Sequence, residues 1–268
     1  MAEKSIVSNS KLTAIADAIR SKTGSTDKLK VTEMASAISG ISTSSSSGID
    51  ADWVKSVLDR TASGELVVPA EITSLGSYSF SYLSKVTKIT LSGVQNFTGE
   101  NVFTGCTALT EIDAPEFLFS QNVWRAFYNL QNLVTVNLPK AITLKTICFG
   151  GCKSLKNVSV PKITSINGNV FEGCTSLEKL DFSDVFAHIN YYKNFAGCTS
   201  LKTVILRKSD AVVDINGTDH FTNTPIASGT GYIYVADDLV DTYKSATNWC
   251  TFAAQIKGIS ELPTEASS

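Results

Sequence analysis

The chain has 268 residues, 43% of them hydrophobic and 18% charged, with a formal net charge of −2, so it is long enough to bury a core in one or two domains. No Lys/Arg cluster breaks the charge balance, which argues against a nucleic-acid footprint or a polybasic membrane surface. No apolar run approaches the roughly 18 residues of a membrane-spanning helix, so no membrane insertion is expected.

Residues 1–10, Met-Ala-Glu-Lys-Ser-Ile-Val-Ser-Asn-Ser, lack the apolar centre of a secretion signal. The expectation is a protein made in the cytoplasm that stays there or leaves by a route needing no signal, such as a virus particle released by lysis. Leu12, Ile15, Ala16 and Ile19 then fall at helical spacing, with Ser10 as N-cap and Gly24 past the end. Met34, Ile38 and Ile41 continue a second amphipathic segment that Thr32 can cap. Residues 1–41 thus read as a small α-helical hairpin with too little core to stand alone, which should pack on a partner or on copies of itself. We expect it to attach or oligomerise the chain, with a trimer as the first expectation.

Residues 42–48 form a serine-rich linker. Trp53, Val54, Val57 and Leu58 predict a further helix, placed to cover the open apolar end of a repeat array. From Phe80 onward one phrase recurs, Phe-x-x-Cys-x-x-Leu-x-x-Val-x-Leu, cleanest from Phe149, Phe171 and Phe195, looser from Phe80, Phe103 and Phe127, and degenerate from Phe221. The Phe-to-Phe steps are 23, 24, 22, 22, 24 and 26 residues, room for one strand and one return path, so each unit must stack on its neighbours to bury its apolar side.

The alternating half of each unit predicts a strand in a parallel sheet. Ile89, Leu91, Ile112, Ala114, Val136, Leu138, Val158, Val160, Leu180, Phe182, Val204 and Leu206 should face inward. Lys88, Glu111, Thr135, Asn157, Lys179 and Thr203 should form one outward ladder, and Thr90, Asp113, Asn137, Ser159, Asp181 and Ile205 a second. Cys106, Cys152, Cys174 and Cys198 share one repeat position and read as a ladder of small buried thiols. After Phe221 the period loosens; Tyr232–Val235 reads as a last strand and the stretch from Asp237 through Tyr243, Ala246 and Trp249 as a terminal helix. The repeats with both caps occupy residues 49–262, and 263–268 form a loose tail.

The residue types offer little chemistry. His188 and His220 lack ligand spacing and read as surface or turn residues, and no nucleophile elbow, P-loop or dinucleotide fingerprint is present. Glu111 with Asp113 is the nearest approach to a carboxylate pair, and it reads as a solvated edge. No catalytic residue, cofactor or metal is therefore expected. For binding, Trp124, Tyr191 and Tyr192, just ahead of repeat phenylalanines, either pack between coils or present rings to a protein or glycan. If they pack, the contact surface moves to the outward ladder around Asn137, Ser159 and Lys179.

The phrase Phe171-x-x-Cys174-x-x-Leu177 and the closing segment from Ile233 to Trp249 resemble the BspA-like leucine-rich repeat family, over about residues 64–260. The resemblance implies a mainly β leucine-rich-repeat solenoid that recognises something. Lys11 to Gly24, followed by Lys28 to Met34, resembles an N-terminal module of tail, baseplate and fibre proteins of bacteriophages of Gram-positive bacteria. That second resemblance implies a virion protein, docked on other virion proteins through the hairpin and contacting a host surface protein or glycan through the repeats. A bacterial surface adhesin and a glycan-acting enzyme on a solenoid remain as alternatives.

Overall fold

The computed structural model describes residues 51–119 and 124–264; the expected hairpin and serine linker lie outside the described residues. A helix, α1 (Ala51–Leu58), precedes a stack of coils whose strands form two rows. The first row runs β1 (Ser63–Val68), β3 (Lys85–Leu91), β5 (Glu111–Asp113), β6 (Thr135–Asn137) and β8 (Asn157–Ser159) in one sheet. It continues in a second sheet as β10 (Lys179–Phe182), β12 (Thr203–Leu206), β14 (Tyr232–Val235) and β15 (Ile256–Gly258). A second row, which the single-strand reading missed, comprises β2 (Ser74–Leu75) with β4 (Asn96–Phe97). After them come β7 (Thr143–Leu144), β9 (Ser165–Asn167), β11 (His188–Asn190) and β13 (Asp214–Ile215). Each paired strand runs parallel to its neighbour one coil on, the arrangement forced on units too small to bury their own apolar face.

The register follows the expected ladders: Glu111 pairs with Thr135 and Thr135 with Asn157, while Ile112, Val136 and Val158 align between them. The inward set is buried, with Val158 at the margin. Ile205 departs from its expected outward place, being only 1% exposed. Its neighbour in register is Tyr234, itself 4% exposed, so toward the C-terminal end the outer face of the first row builds a small apolar cluster of its own.

Between the second row and the next first-row strand the chain turns around the repeat phenylalanine. Two residues beyond it the backbone is left-handed, a position filled by Gly105, Gly151, Gly173 and Gly197 and elsewhere by Tyr82, Asn129 and Asn223, in keeping with the freedom of glycine and the tolerance of asparagine for positive φ. The turn still bonds along the stack: Phe127 N–H donates to Cys148 O (2.9 Å), Phe149 to Val170 (2.8 Å) and Phe171 to Asn194 (2.8 Å). The rings stack with them. Phe80, Phe103, Phe127, Phe149, Phe171, Phe195 and Phe221 form one near-parallel ladder with centroids 5.1–6.1 Å apart. Trp53 of α1 meets one end edge-on at 6.3 Å and Phe252 the other at 5.1 Å, so both open ends are closed by an aromatic edge.

The cysteine ladder runs beside the rings. Cys106, Cys152, Cys174 and Cys198 are buried, and each Sγ lies 3.0–3.2 Å from the carbonyl of a phenylalanine in the preceding coil. Phe149 O accepts both Cys152 N–H (3.0 Å) and Cys174 Sγ–H (3.2 Å), so the thiol occupies the second lone pair of a carbonyl already used by its own turn. Burial pushes the Cys152 and Cys198 thiols up to about 12 and raises Cys174 as well.

The expected terminal helix is broken into a 3-10 turn (Asp237–Leu239), α2 (Val240–Ser245) and a second 3-10 segment (Trp249–Gln255), with Asn248 left-handed between them. The break has a purpose in hydrogen bonding. It lets Tyr243 Oη accept from Val213 N–H (2.8 Å), Trp249 Nε1 donate to Val213 O (2.7 Å) and Asn248 Nδ2 donate to Ile215 O (2.8 Å). A continuous helix would leave these terminal backbone groups without partners. Burial raises the Tyr243 hydroxyl to about 12. His220, expected at the surface or in a turn, lies in a 3-10 turn (Asp219–Phe221) but is buried: its Nδ1 faces Asn194 Nδ2 at 3.2 Å, and burial lowers its pKa.

Candidate functional site

The second strand row sets up a groove by differences in coil length. Phe149 follows Leu144 by five positions and Phe171 follows Ile166 by five, whereas Phe195 follows Ile189, the register partner of Ile166, by six. The additional residue pushes Tyr191 and Tyr192 outward as one wall, with Tyr191 itself left-handed at φ 63°. Trp124, ahead of Phe127, forms the opposite wall. The floor comes from the two shortest coils, through Thr146 and Gly168.

Backbone bonds order these parts along the stack: Arg125 N–H donates to Thr146 O (3.1 Å), Ile147 N–H to Gly168 O (3.0 Å) and Asn169 N–H to Tyr192 O (2.9 Å). The walls are therefore three coils apart, about 14 Å at ordinary strand spacing. The groove they enclose measures about 790 Å³ and is lined also by Glu100, Lys145, Ile147 and Asn167. Gly168 keeps the floor low; its φ is +65°, and a Cβ there would stand 3.3 Å from Tyr191 Cβ.

Trp124 is 58% exposed, Tyr191 60% and Tyr192 55%, values too high for rings wholly packed between coils. The base of the Tyr191 side chain lies beside Gly168 while the residue stays largely exposed. The three rings named from sequence thus line one cavity, although Trp124 and Tyr192 lie 68 positions apart in the chain. Sequence reasoning missed the polar lining, Arg125, Lys145, Asn167 and Glu100. The signal for it was the pair of shortest steps, 22 and 22 residues, flanked by steps of 24.

The alternative contact residues lie elsewhere, on the first row. Asn137 and Ser159 are neighbours in register, and Asn137 Nδ2 donates to Asp113 Oδ1 at 2.8 Å. Lys179 begins β10 and is exposed. None of the three lines the groove.

The carboxylates nearest to a catalytic pair are occupied in the ladder. Glu111 meets Lys88 Nζ at 3.1 Å, and the hydrogen bond to Glu111 holds the Lys88 ammonium above its usual range. Asp113 accepts from Asn137. His188 Nδ1 lies 3.1 Å from Asp214 Oδ2 on the exposed face of the second row. Among the described residues no group of three or more His, Cys, Asp or Glu side chains is placed to hold a metal ion, and no helix is long and apolar enough to cross a membrane.

Comparison with known proteins agrees with the repeat reading. The structure is similar to a leucine rich cell surface protein from Faecalibacterium prausnitzii A2-165 at 18% identity and a TM-score of 0.46, covering 66% of this chain and 56% of that one. A leucine-rich repeat protein from Bacteroides ovatus ATCC 8483 matches at 17% identity and a TM-score of 0.35, covering 64% and 63% of the two chains. The leucine rich repeat protein of T. pallidum matches at 21% and 0.34, covering 53% and 58%. The chain therefore spans less than two thirds of the length of each of these structures. No curated protein matches it. The family described as BspA type leucine rich repeat region matches in six copies across residues 58–144 and 123–236, and with its ladder of Phe, Cys and Leu in register through those coils, the chain belongs to that family.

Proposed function

We propose that this chain is a non-enzymatic recognition protein that holds a surface ligand in the groove between Trp124 and the Tyr191–Tyr192 wall. The observation that carries this reading is the exposure of three large rings on one cavity of about 790 Å³, because rings supply contact area at low entropic cost and dominate interface energetics. The engagement of Glu111 and Asp113 by Lys88 and Asn137 supports the non-enzymatic part. An adhesin-type role at a bacterial surface fits the family.

A second reading places the same solenoid on a bacteriophage particle, with residues 1–41 docked on other virion proteins and a host cell-surface protein or glycan in the groove. Its support is the run from Lys11 to Gly24 and from Lys28 to Met34. Immunogold labelling of particles released from the source strain separates the two readings: label on tails supports the virion role, and label on cell envelopes alone overturns it.

The groove itself is tested by measuring labelled protein on intact bacterial cells, purified cell wall and a panel of cell-surface proteins, then repeating with Trp124→Ala, Tyr191→Ala and Tyr192→Ala. Each variant should weaken attachment by about 1–3 kcal/mol with nearly unchanged thermal stability. Unchanged attachment refutes the groove. Lost stability with intact binding shows the rings to be packing elements and moves the site to Asn137, Ser159 and Lys179.

A further inference from the structure

Resting on that reading of the groove, we propose that its ligand is an acidic oligosaccharide, a short glycan whose sugar rings lie on Trp124, Tyr191 and Tyr192 while a carboxylate or phosphate group sits between Arg125 and Lys145. The lining favours a sugar over a peptide. A peptide-docking cleft draws on several aliphatic and aromatic surfaces that form a continuous apolar core. Among the described residues that line the groove, Ile147 is the only aliphatic hydrophobic side chain, and the floor between the rings is Thr146 and Gly168. The electron-rich face of an aromatic ring suits the C–H-rich face of a pyranose. Hydroxyl groups need donors and acceptors at the rim: Asn167 Oδ1 already accepts from Asn190 Nδ2 at 2.9 Å, which leaves the Asn167 amide N–H pair to donate to a ligand.

The charge around the floor is positive. Arg125 stands on the Trp124 side and Lys145 in the next coil, whereas Glu100 belongs to the coil beyond Trp124. Elsewhere on the solenoid Lys88, Lys140 and Arg207 are paired with Glu111, Glu116 and Asp181. Among the described residues Arg125 and Lys145 have no carboxylate partner. The Arg125 guanidinium rests 5.3 Å from the Tyr128 ring centroid, a contact that restrains its plane and suits the two-pronged recognition of a carboxylate or phosphate.

The test uses the full-length protein and matched probes differing in charge: tetragalacturonate against its methyl ester, and maltotetraose phosphate against maltotetraose, by calorimetry at low and high salt. The acidic member of at least one pair should bind about tenfold more tightly, the size expected of two half-exposed ion pairs, and should lose that advantage in salt. Arg125→Gln/Lys145→Gln should erase the difference between the members of the pair, and Trp124→Ala should weaken both members. Should the double variant melt early, Lys145→Gln alone should remove part of the difference. The pair that responds distinguishes a uronate from a phosphate. Equal binding within both pairs overturns the acidic assignment while leaving the groove in place. No binding to any of the four probes overturns the glycan class, and the groove reading then stands or falls on the ring variants against cells and proteins.

Discussion

Raising the pH from 8 to 10 should strip stability from this solenoid through its cysteine ladder. In the unfolded chain a thiol loses its proton near 9.0, whereas burial holds Cys152 and Cys198 protonated up to about 12. Below pH 9 both states carry the proton and the contribution is fully present. Above it the unfolded state alone gains from ionisation, so stability falls through the window from about 9 to 12. At pH 10 each thiol costs about 1.4 kcal/mol, so the pair costs about 3 kcal/mol, against a typical total of about 5–15 kcal/mol. Cys174 and Cys148 shift in the same direction and add to the loss. Urea unfolding at pH 8, 9 and 10 and constant ionic strength measures the slope. Cys152→Ser/Cys198→Ser is the control, since a hydroxyl can still donate to the carbonyls of Phe127 and Phe171 but does not titrate in this range. Equal loss in wild type and control would refute the reasoning. In native protein at pH 8, exposed Cys250 should react with a thiol reagent at once and the buried ladder only on unfolding.

Tyr243→Phe should cost about 1–3 kcal/mol, read as a shifted urea midpoint, because it leaves the buried Val213 N–H without an acceptor. Gly93→Ala should destabilise far more than an exposed glycine substitution, by about 3 kcal/mol or more in the same assay, since its Cβ would overlap the carbonyl oxygen of Ala70 and backbone must move. Deleting residues 1–41 should leave a folded monomeric solenoid by light scattering and circular dichroism. If the full-length protein is itself monomeric at micromolar concentration, self-assembly through that segment is wrong and docking on a partner remains.

The sequence by itself determined the solenoid, because a period too short to bury its own apolar side leaves stacking as the only solution, and the Phe, Cys and inward Val/Leu positions then fall into register. It also marked Trp53 as an end cap and named the three rings. The second strand row was not legible: strands such as Thr143–Leu144 and Asp214–Ile215 are two residues long, and their pairing with the next coil, rather than any pattern of their own, makes them strands. The burial of Ile205 and His220 was likewise decided by neighbours distant in sequence, Tyr234 and Asn194. So was the broken terminal helix, where bonds to Val213 and Ile215 outweighed local helical preference. The groove shows the same division. Its rings stand out as residue types and the short 22-residue steps can be counted in the sequence, but only with the coils laid in register does the one additional residue between Ile189 and Phe195 place Tyr191 and Tyr192 out beside the short coils of Thr146 and Gly168.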